Sequence, residues 1–434
     1  MFSENPISKK NIINILIFFI PVTYIAGNLL LNINILLLFT LFFWSFRLKI
    51  FEFELKTIDK LFLIFFVYIL LNGLINNYFN FPFEGKQNVI IYKTLAYLRF
   101  LVLYFVIRYL IYFNLINFKL LFLWYGLLAL FVSLDIIYQF FYRVDLFGFE
   151  APISDRRLAG PFGDEWIAGS FIQRFYIFLL FYFLIFYKFK KYWKFHLISL
   201  SILFFISLGV IMSGNRMPAA MFFLSLILLM FFEKSFRKNL IIVLIIFFSS
   251  VYIFGKNSDQ IKLHYSSFIV KSVEVFDYFN KKYNPSSSGQ SKITNTYIKE
   301  FETGISTWEE NKIFGGGVKS FYYNCAEKSK VEKNLKGCSS HPHNYYVQIS
   351  AELGLFGLFL TIILFSFIIF NSLKKILLYK FFGEKKMLLP FFILFIVEIF
   401  PFKTTGSFFT TTNATYLFIL IPFIIGLTEL KKVK

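Results

Sequence analysis

The sequence predicts an all-α polytopic membrane protein with about twelve transmembrane helices and one long polar segment. Three observations carry that prediction. The 434 residues are 57% hydrophobic and 22% aromatic, more than a soluble chain of this length hides. The apolar residues come in long runs separated by short Lys-rich breaks. The Lys and Arg residues, which bring the formal charge to +20, gather in alternate loops, as the positive-inside rule requires. The same alternation removes the nucleic-acid reading that such a charge suggests, because no basic patch interleaves with aromatics. Lys9 and Lys10 precede the first apolar run, but no small-residue site closes it, so a cleaved signal peptide is not expected.

The first run, from about Asn11 to Arg47, exceeds the roughly 20 residues of one span and is expected to turn at Gly27-Asn28 into two. Span three covers about Leu61 to Leu74, span four about Thr94 to Phe113, and span five Lys119 to about Phe141. A loop containing Arg156 and Arg157 leads to span six, about Ser170 to Tyr187. Spans seven and eight flank the short link Ser213-Gly214-Asn215-Arg216, and span nine ends near Gly255. Residues 1–255 thus form spans one to nine, 256–345 an external loop, and 346–434 spans ten to twelve. Lys-rich loops fall on one side throughout, which puts both termini in the cytoplasm.

Within the polar loop, Ser266 to Tyr283 and Ile293 to Glu310 carry helical spacing, and Asn284 to Gly289 reads as a linker. Gly315-Gly316-Gly317 lacks the Lys-Ser/Thr that follows the glycines of a phosphate-binding loop, so a turn is the better reading. Cys325 and Cys338, the two cysteines of the chain, suit one disulfide in an oxidising exterior, stabilising the fold by about 3 kcal/mol. A metal site joining them to His341 and His343 is the alternative, but the spacing favours the disulfide.

Two of the four histidines stand in His341-Pro342-His343-Asn344, immediately before an apolar helix. Proline suits the first helical position, so a helix is expected to begin at Pro342, capped by Ser340 or His341, with His343 in its first turn. The positive end of that helix would attract phosphate and hold His343 neutral, able to take a proton from a hydroxyl. Simple anchoring at the interface is the plainer role for the pair. Arg216, in the shortest external link, suits a pyrophosphate oxygen pair. The plain alternative is a snorkelling arginine. Arg99 and Arg174 lie near outer ends of spans. No Asp-x-Asp motif occurs, so a metal clamp on phosphates lacks obvious ligands and cations would replace it.

These residues carry a resemblance to the bacterial O-antigen ligase and O-antigen polymerase superfamily. His343-Asn344, nine residues, then Gly354-Leu355-Phe356-Gly357 match the ligase signature in full, making Asn344, Gly354 and Gly357 supporting motif residues. Arg216 matches an Arg-x-x-x-Leu motif in position, although Ala220 stands where leucine is usual. Arg157 to Phe171, NKIFGGGVKSF and Pro401 to Phe409 look like further family segments. The resemblance implies a GT-C-like membrane glycosyltransferase with its active site on the periplasmic face of the bacterial inner membrane. It implies a glycan donor on undecaprenyl pyrophosphate, an acceptor such as lipid A-core, inversion at the anomeric carbon, and no metal or other cofactor. Carried over, His343 and Arg216 are catalytic, and Arg216, Arg157, Arg156 and His341 hold the donor pyrophosphate. Polymerases and protein O-oligosaccharyltransferases of the same superfamily use similar residues, and the complete signature inclines towards a ligase. A transporter of lipid-linked saccharide is the competing class. It would carry charges near the bilayer midplane, where this chain places few besides Asp135 and Glu398.

Overall fold

The computed structural model describes residues 6–80, 88–151, 157–187, 189–257, 269–278, 280, 296–331, 338–378 and 384–429, and these are almost entirely helical. Arg156 and the expected linker, Asn284 to Gly289, lie outside the described residues. The helices are α1 (Pro6–Ala26), α2 (Asn28–Phe46), α3 (Thr57–Ile75), α4 (Val89–Tyr97), α5 (Arg99–Tyr112), α6 (Phe118–Tyr142), α7 (Ala168–Ile185), α8 (Tyr192–Met212), α9 (Arg216–Phe232) and α10 (Arg237–Asn257). They continue with α11 (269–278), α12 (Thr296–Glu310), α13 (Ser320–Val331), α14 (Tyr345–Leu378), α15 (Glu384–Glu398) and α16 (Thr411–Glu429).

Among the described residues, 8 helices are long and apolar enough to cross a membrane, or up to 9 if the pair α9 and 234–246, bent by 114°, counts as one span. α1 and α15 are shorter apolar helices, so the structure does not fix the count at twelve. Gly27 separates α1 from α2 as a turn with φ of 99°. α4 and α5, which meet at Leu98, together form one span from Val89 to Tyr112.

The bundle is organised around α16, buried at every residue from Ala414 to Leu427, and around α7, buried over nearly all of Ala168 to Phe181. In lipid there is no hydrophobic drive between helices, so association rests on close packing and internal polar contacts. Close approach is visible where α6 meets α7, because a Cβ on Gly126 would overlap the Leu179 backbone. Aromatic rings supply much of the remaining contact. Phe100 stacks on Phe418 with centroids 5.8 Å apart, Phe62 on Tyr104 at 4.4 Å, and Phe391 on Phe423 at 4.7 Å.

Two buried ionic clusters tie opposite ends of the bundle. At one end, fully buried Arg108 of α5 bonds Asp59 of α3 at 3.1 and 3.3 Å and Glu429 of α16 at 2.6 Å, while the Tyr104 hydroxyl also donates to Asp59. At the other, Arg174 of α7 bonds Glu398 of α15 at 2.9 Å and Asn413 of α16 at 2.7 Å. Each charge is paired, which is the condition for burying it.

The polar segment packs over the start of α14. Cys325 and Cys338 are joined in a disulfide with Cα atoms 5.7 Å apart, and Cys325 is buried with Phe321, Ala351 and Trp308. The three glycines are a backbone clasp. Gly316 N–H donates to the Ala351 carbonyl (3.0 Å) and Gly317 N–H to that of Glu352 (2.8 Å), while Leu355 and Phe356 N–H donate back to Lys312 and Ile313. The amides a phosphate would need are thus used by α14. That helix breaks at Gly354, whose φ of 70° and ψ of −174° leave the helical region. A side chain there would overlap the Ile313 carbonyl, so glycine alone permits both the kink and the clasp.

Candidate active site

A cavity of about 360 Å³ opens where the ends of several helices converge. Its wall comprises the start of α7, the link between α8 and α9, the His341–His343 stretch, the loop from α15 to α16, and the segment 157–167. The walls are fastened to one another. Leu158 N–H donates to the Ser213 carbonyl (3.1 Å), securing the segment that carries Arg157 to the α8–α9 link. The Tyr416 hydroxyl donates to the Arg174 carbonyl (3.1 Å), joining α16 to α7.

The first turns of α14 organise the site, but they begin later than the sequence suggests. The helix starts at Tyr345, and Asn344 is its cap: the Asn344 Oδ1 accepts from Tyr346 N–H (3.0 Å) and Val347 N–H (3.2 Å). Asparagine is among the best capping residues, and its competition moves the boundary past Pro342. The Asn344 amide also donates to the carbonyls of Pro401 (2.7 Å) and Lys403 (3.3 Å), which draws the 399–410 loop onto the helix start. Further along, Gln348 accepts from Phe408 N–H (2.8 Å) and donates to Glu352 (2.9 Å). The signature asparagine is therefore structural, a brace between two cavity walls.

His343 lies outside the helix, with φ of 51° in the left-handed region, where histidine is an uncommon but tolerated residue. Its neutrality has a different cause from the expected helix dipole: burial lowers its pKa below the usual histidine value. His341, with ring centroid 4.2 Å from that of His343, is lowered further, to about 3, by burial first and then by His343 and Lys319. The His341 Nδ1 meets the Ser340 hydroxyl at 2.8 Å, and its Nε2 is buried without a hydrogen-bond partner among the described residues. Both rings are neutral bases near pH 7.

The cations are distributed unequally. Arg157 lines the cavity with its guanidinium 3.9 Å above the Trp166 ring. Arg216 opens α9 and is partly exposed; its neighbours Asn215 and Pro218 line the cavity, whereas Arg216 is not among the lining residues. Two further cations line it, Arg174 and Lys403, the second of which had no expected role. Arg174, in the sequence a weaker candidate near a span end, pairs with Glu398, and Lys403 reaches the same carboxylate at 2.7 Å. Tyr345 donates its hydroxyl to that carboxylate as well (2.5 Å). Burial lowers the Lys403 pKa to about 8, against the opposing pull of Glu398. A lone Lys inside the Pro401–Phe409 stretch, together with Glu398 set away from the basic loops, was the signal available for this cluster.

Glu300 of α12 is the other residue missed. Its Oε1 lies 3.6 Å from the His343 Nε2, and burial raises its pKa to about 7. Nothing in the spacing of an amphipathic helix with several acids marks it out. Among the described residues, no group of three or more His, Cys, Asp or Glu is placed to hold a metal ion. The site thus combines neutral imidazoles with Arg157, Arg174 and Lys403 on the wall of one cavity of about 360 Å³.

Two comparisons with known proteins bear on these residues. Residues 200–362 match the family model for O-antigen ligase, a stretch that runs from α8 through Arg216 and His343-Asn344 to beyond Gly357. No curated protein matches the chain. The family match supports the O-antigen ligase and polymerase superfamily for this membrane protein.

Proposed function

We propose, from its place in the O-antigen ligase and polymerase superfamily, that this chain transfers a glycan from undecaprenyl pyrophosphate to an acceptor hydroxyl, with lipid A-core as the acceptor. The reaction takes place at the periplasmic face of the bacterial inner membrane, needs no metal, and inverts the anomeric carbon. The observation that carries the reading is a cavity that a half-buried, neutral His343 lines together with Arg157, Arg174 and Lys403.

A glycosyl pyrophosphate needs two kinds of help. Its leaving group develops negative charge, which fixed cations in a water-poor cavity stabilise far better than water does. Arg157 supplies one such charge. Arg216 opens α9 next to Asn215, which lines the cavity, and the start of that helix adds a positive end. Arg156 belongs to the same segment as Arg157 and is proposed to share the pyrophosphate. The acceptor hydroxyl needs a base, and an imidazole kept neutral by burial is available to it without first losing a proton. In the step, the acceptor oxygen attacks C1 from the side opposite the pyrophosphate and gives its proton to His343. The C1–O bond to pyrophosphate breaks with its electron pair on the leaving group. His341, neutral beside it, contacts the donor phosphates or sugar.

The complete signature from His343 to Gly357 favours a ligase over a polymerase or a protein O-oligosaccharyltransferase, which differ from it in the acceptor. Reconstitution in vesicles with a lipid-pyrophosphate glycan and each acceptor class separates them. His343→Ala is expected to lower transfer by about 10²–10⁴-fold while the protein remains folded, and Arg216→Ala to raise the donor KM. Activity should survive EDTA. A loss that Mg or Mn restores would sink the metal-free reading, and movement of the donor across the bilayer without transfer would favour a carrier.

A further inference from the structure

The reading of His343 as a base leaves unexplained why the polar segment folds so closely over the start of α14. α12 crosses that start where Gly304 meets Val347 and Pro342, and a side chain on Gly304 would overlap Val347. Glu300 lies one turn before Gly304, on the same face of α12. The close crossing therefore delivers one carboxyl to the histidine: Glu300 Oε1 sits 3.6 Å from His343 Nε2, with the Glu300 side chain only 13% exposed.

We infer that Glu300 is a positioning residue for His343, holding its ring through Nε2 so that Nδ1 takes the proton of the acceptor hydroxyl. This rests on the function proposed above. A carboxylate that accepts the Nε2 proton fixes the tautomer, orients the ring and stabilises the imidazolium formed when Nδ1 is protonated. At 3.6 Å the contact is an ion-pair distance and long for a hydrogen bond, and catalytic contacts of this kind shorten once substrate is bound. The proton balance is simple: it leaves the acceptor O–H, resides on His343, and departs to solvent with the product, while Glu300, whose pKa burial raises to about 7, acts in its ionised form.

Among the described residues, the carboxyl in ion-pair reach of His343 is that of Glu300. Among the described residues, the other groups near the pair or on the cavity wall include His341 in the same stretch, Lys319 before α13, and Arg157, Arg174 and Lys403. All are neutral or cationic near pH 7, so none can stabilise an imidazolium. The disulfide and the glycine clasp to α14 hold the segment from which α12 approaches.

Two readouts test the inference on the full-length protein. In vesicles with lipid-pyrophosphate glycan and acceptor, Glu300→Gln is expected to lower kcat about 10–10³-fold with KM little changed, and Glu300→Asp to recover part of it. In a His343→Ala background, Glu300→Gln should cost nothing further, because the two act as one unit. Equal activity in Glu300→Gln, or losses that multiply in the double variant, would overturn the inference. The second readout needs no substrate: NMR titration of labelled histidines in detergent should show the His343 pKa about one unit lower in Glu300→Gln than in wild type. An unmoved His343 overturns the pairing. A moved His343 in a protein that transfers no glycan would keep the pairing and discard the glycosyltransferase reading.

Discussion

Lys403 is the residue whose chemistry is most exposed to test. Burial holds its pKa near 8, whereas in an unfolded chain it is 10.5. The unfolded state therefore binds the proton more tightly, and the contribution of this group to stability rises as pH rises from about 8 towards 10.5. Anion binding moves the other way, since the ammonium is lost above about pH 8. Donor KM is expected to increase between pH 7.5 and 9, while thermal stability, followed by tryptophan fluorescence in detergent, does not fall over the same interval. Lys403→Arg should abolish the rise in KM. A KM that is flat in wild type would remove Lys403 from the donor site. At this scale the sequence was informative about identity and poor on arrangement. The histidines, Arg157 and the cysteines stood out as polar residues in an apolar chain. Glu300 and Lys403 became visible only when folding set them beside the histidine and beside Glu398, because contacts between distant segments have no local signature.

At the scale of elements, the apolar runs and basic breaks located most helices to within a few residues, since burying a helix in lipid depends on length and composition alone. The boundary that failed is the start of α14, where Pro342 and Asn344 both offer a legible stop and the asparagine prevails by making two cap bonds. The Gly354 break was likewise present in the sequence as a motif without a meaning. Its φ of 70° gives that motif a cause: a kink that lets the Gly315–Gly317 turn bond α14 through main-chain atoms. Gly354→Ala is expected to destabilise the protein by roughly 1–3 kcal/mol from backbone conformation alone, and by more because the methyl overlaps the Ile313 carbonyl. The measurement is the thermal midpoint in detergent. An unchanged midpoint would show that the clasp yields without cost.

For the whole molecule, two buried clusters at opposite ends of the bundle do different work. Arg108 with Asp59 and Glu429 joins three helices away from the cavity. Glu398 instead receives Arg174, Lys403 and the Tyr345 hydroxyl, so that α7, α14, α15 and the 399–410 loop share one carboxylate. Removing it leaves two buried cations without their anion. Glu398→Gln is accordingly expected to destabilise the fold by about 3–5 kcal/mol, whereas Glu398→Gln combined with Arg174→Gln and Lys403→Met should regain much of that and still bind donor poorly. Chemical denaturation together with a donor-binding assay distinguishes the two effects; a triple variant that binds donor normally would show the cluster to be purely structural.

The stretch between the Asn344 cap and the Gly354 kink has one further consequence. Nine helical residues separate them, a fixed length of about 14 Å at 1.5 Å per residue. The signature is thus a ruler as much as a set of functional groups: it sets the distance and the rotational phase between the clasped kink and the histidine. One alanine inserted into that interval would advance everything before it by about 100° around the helix axis. The chemistry of every side chain would be unchanged, yet His343 would turn away from the cavity, and transfer should fall as far as in His343→Ala. Ser350→Ala, at a half-buried position of the interval whose hydroxyl bonds back to the Tyr346 carbonyl of the same helix, keeps that length and should be tolerated.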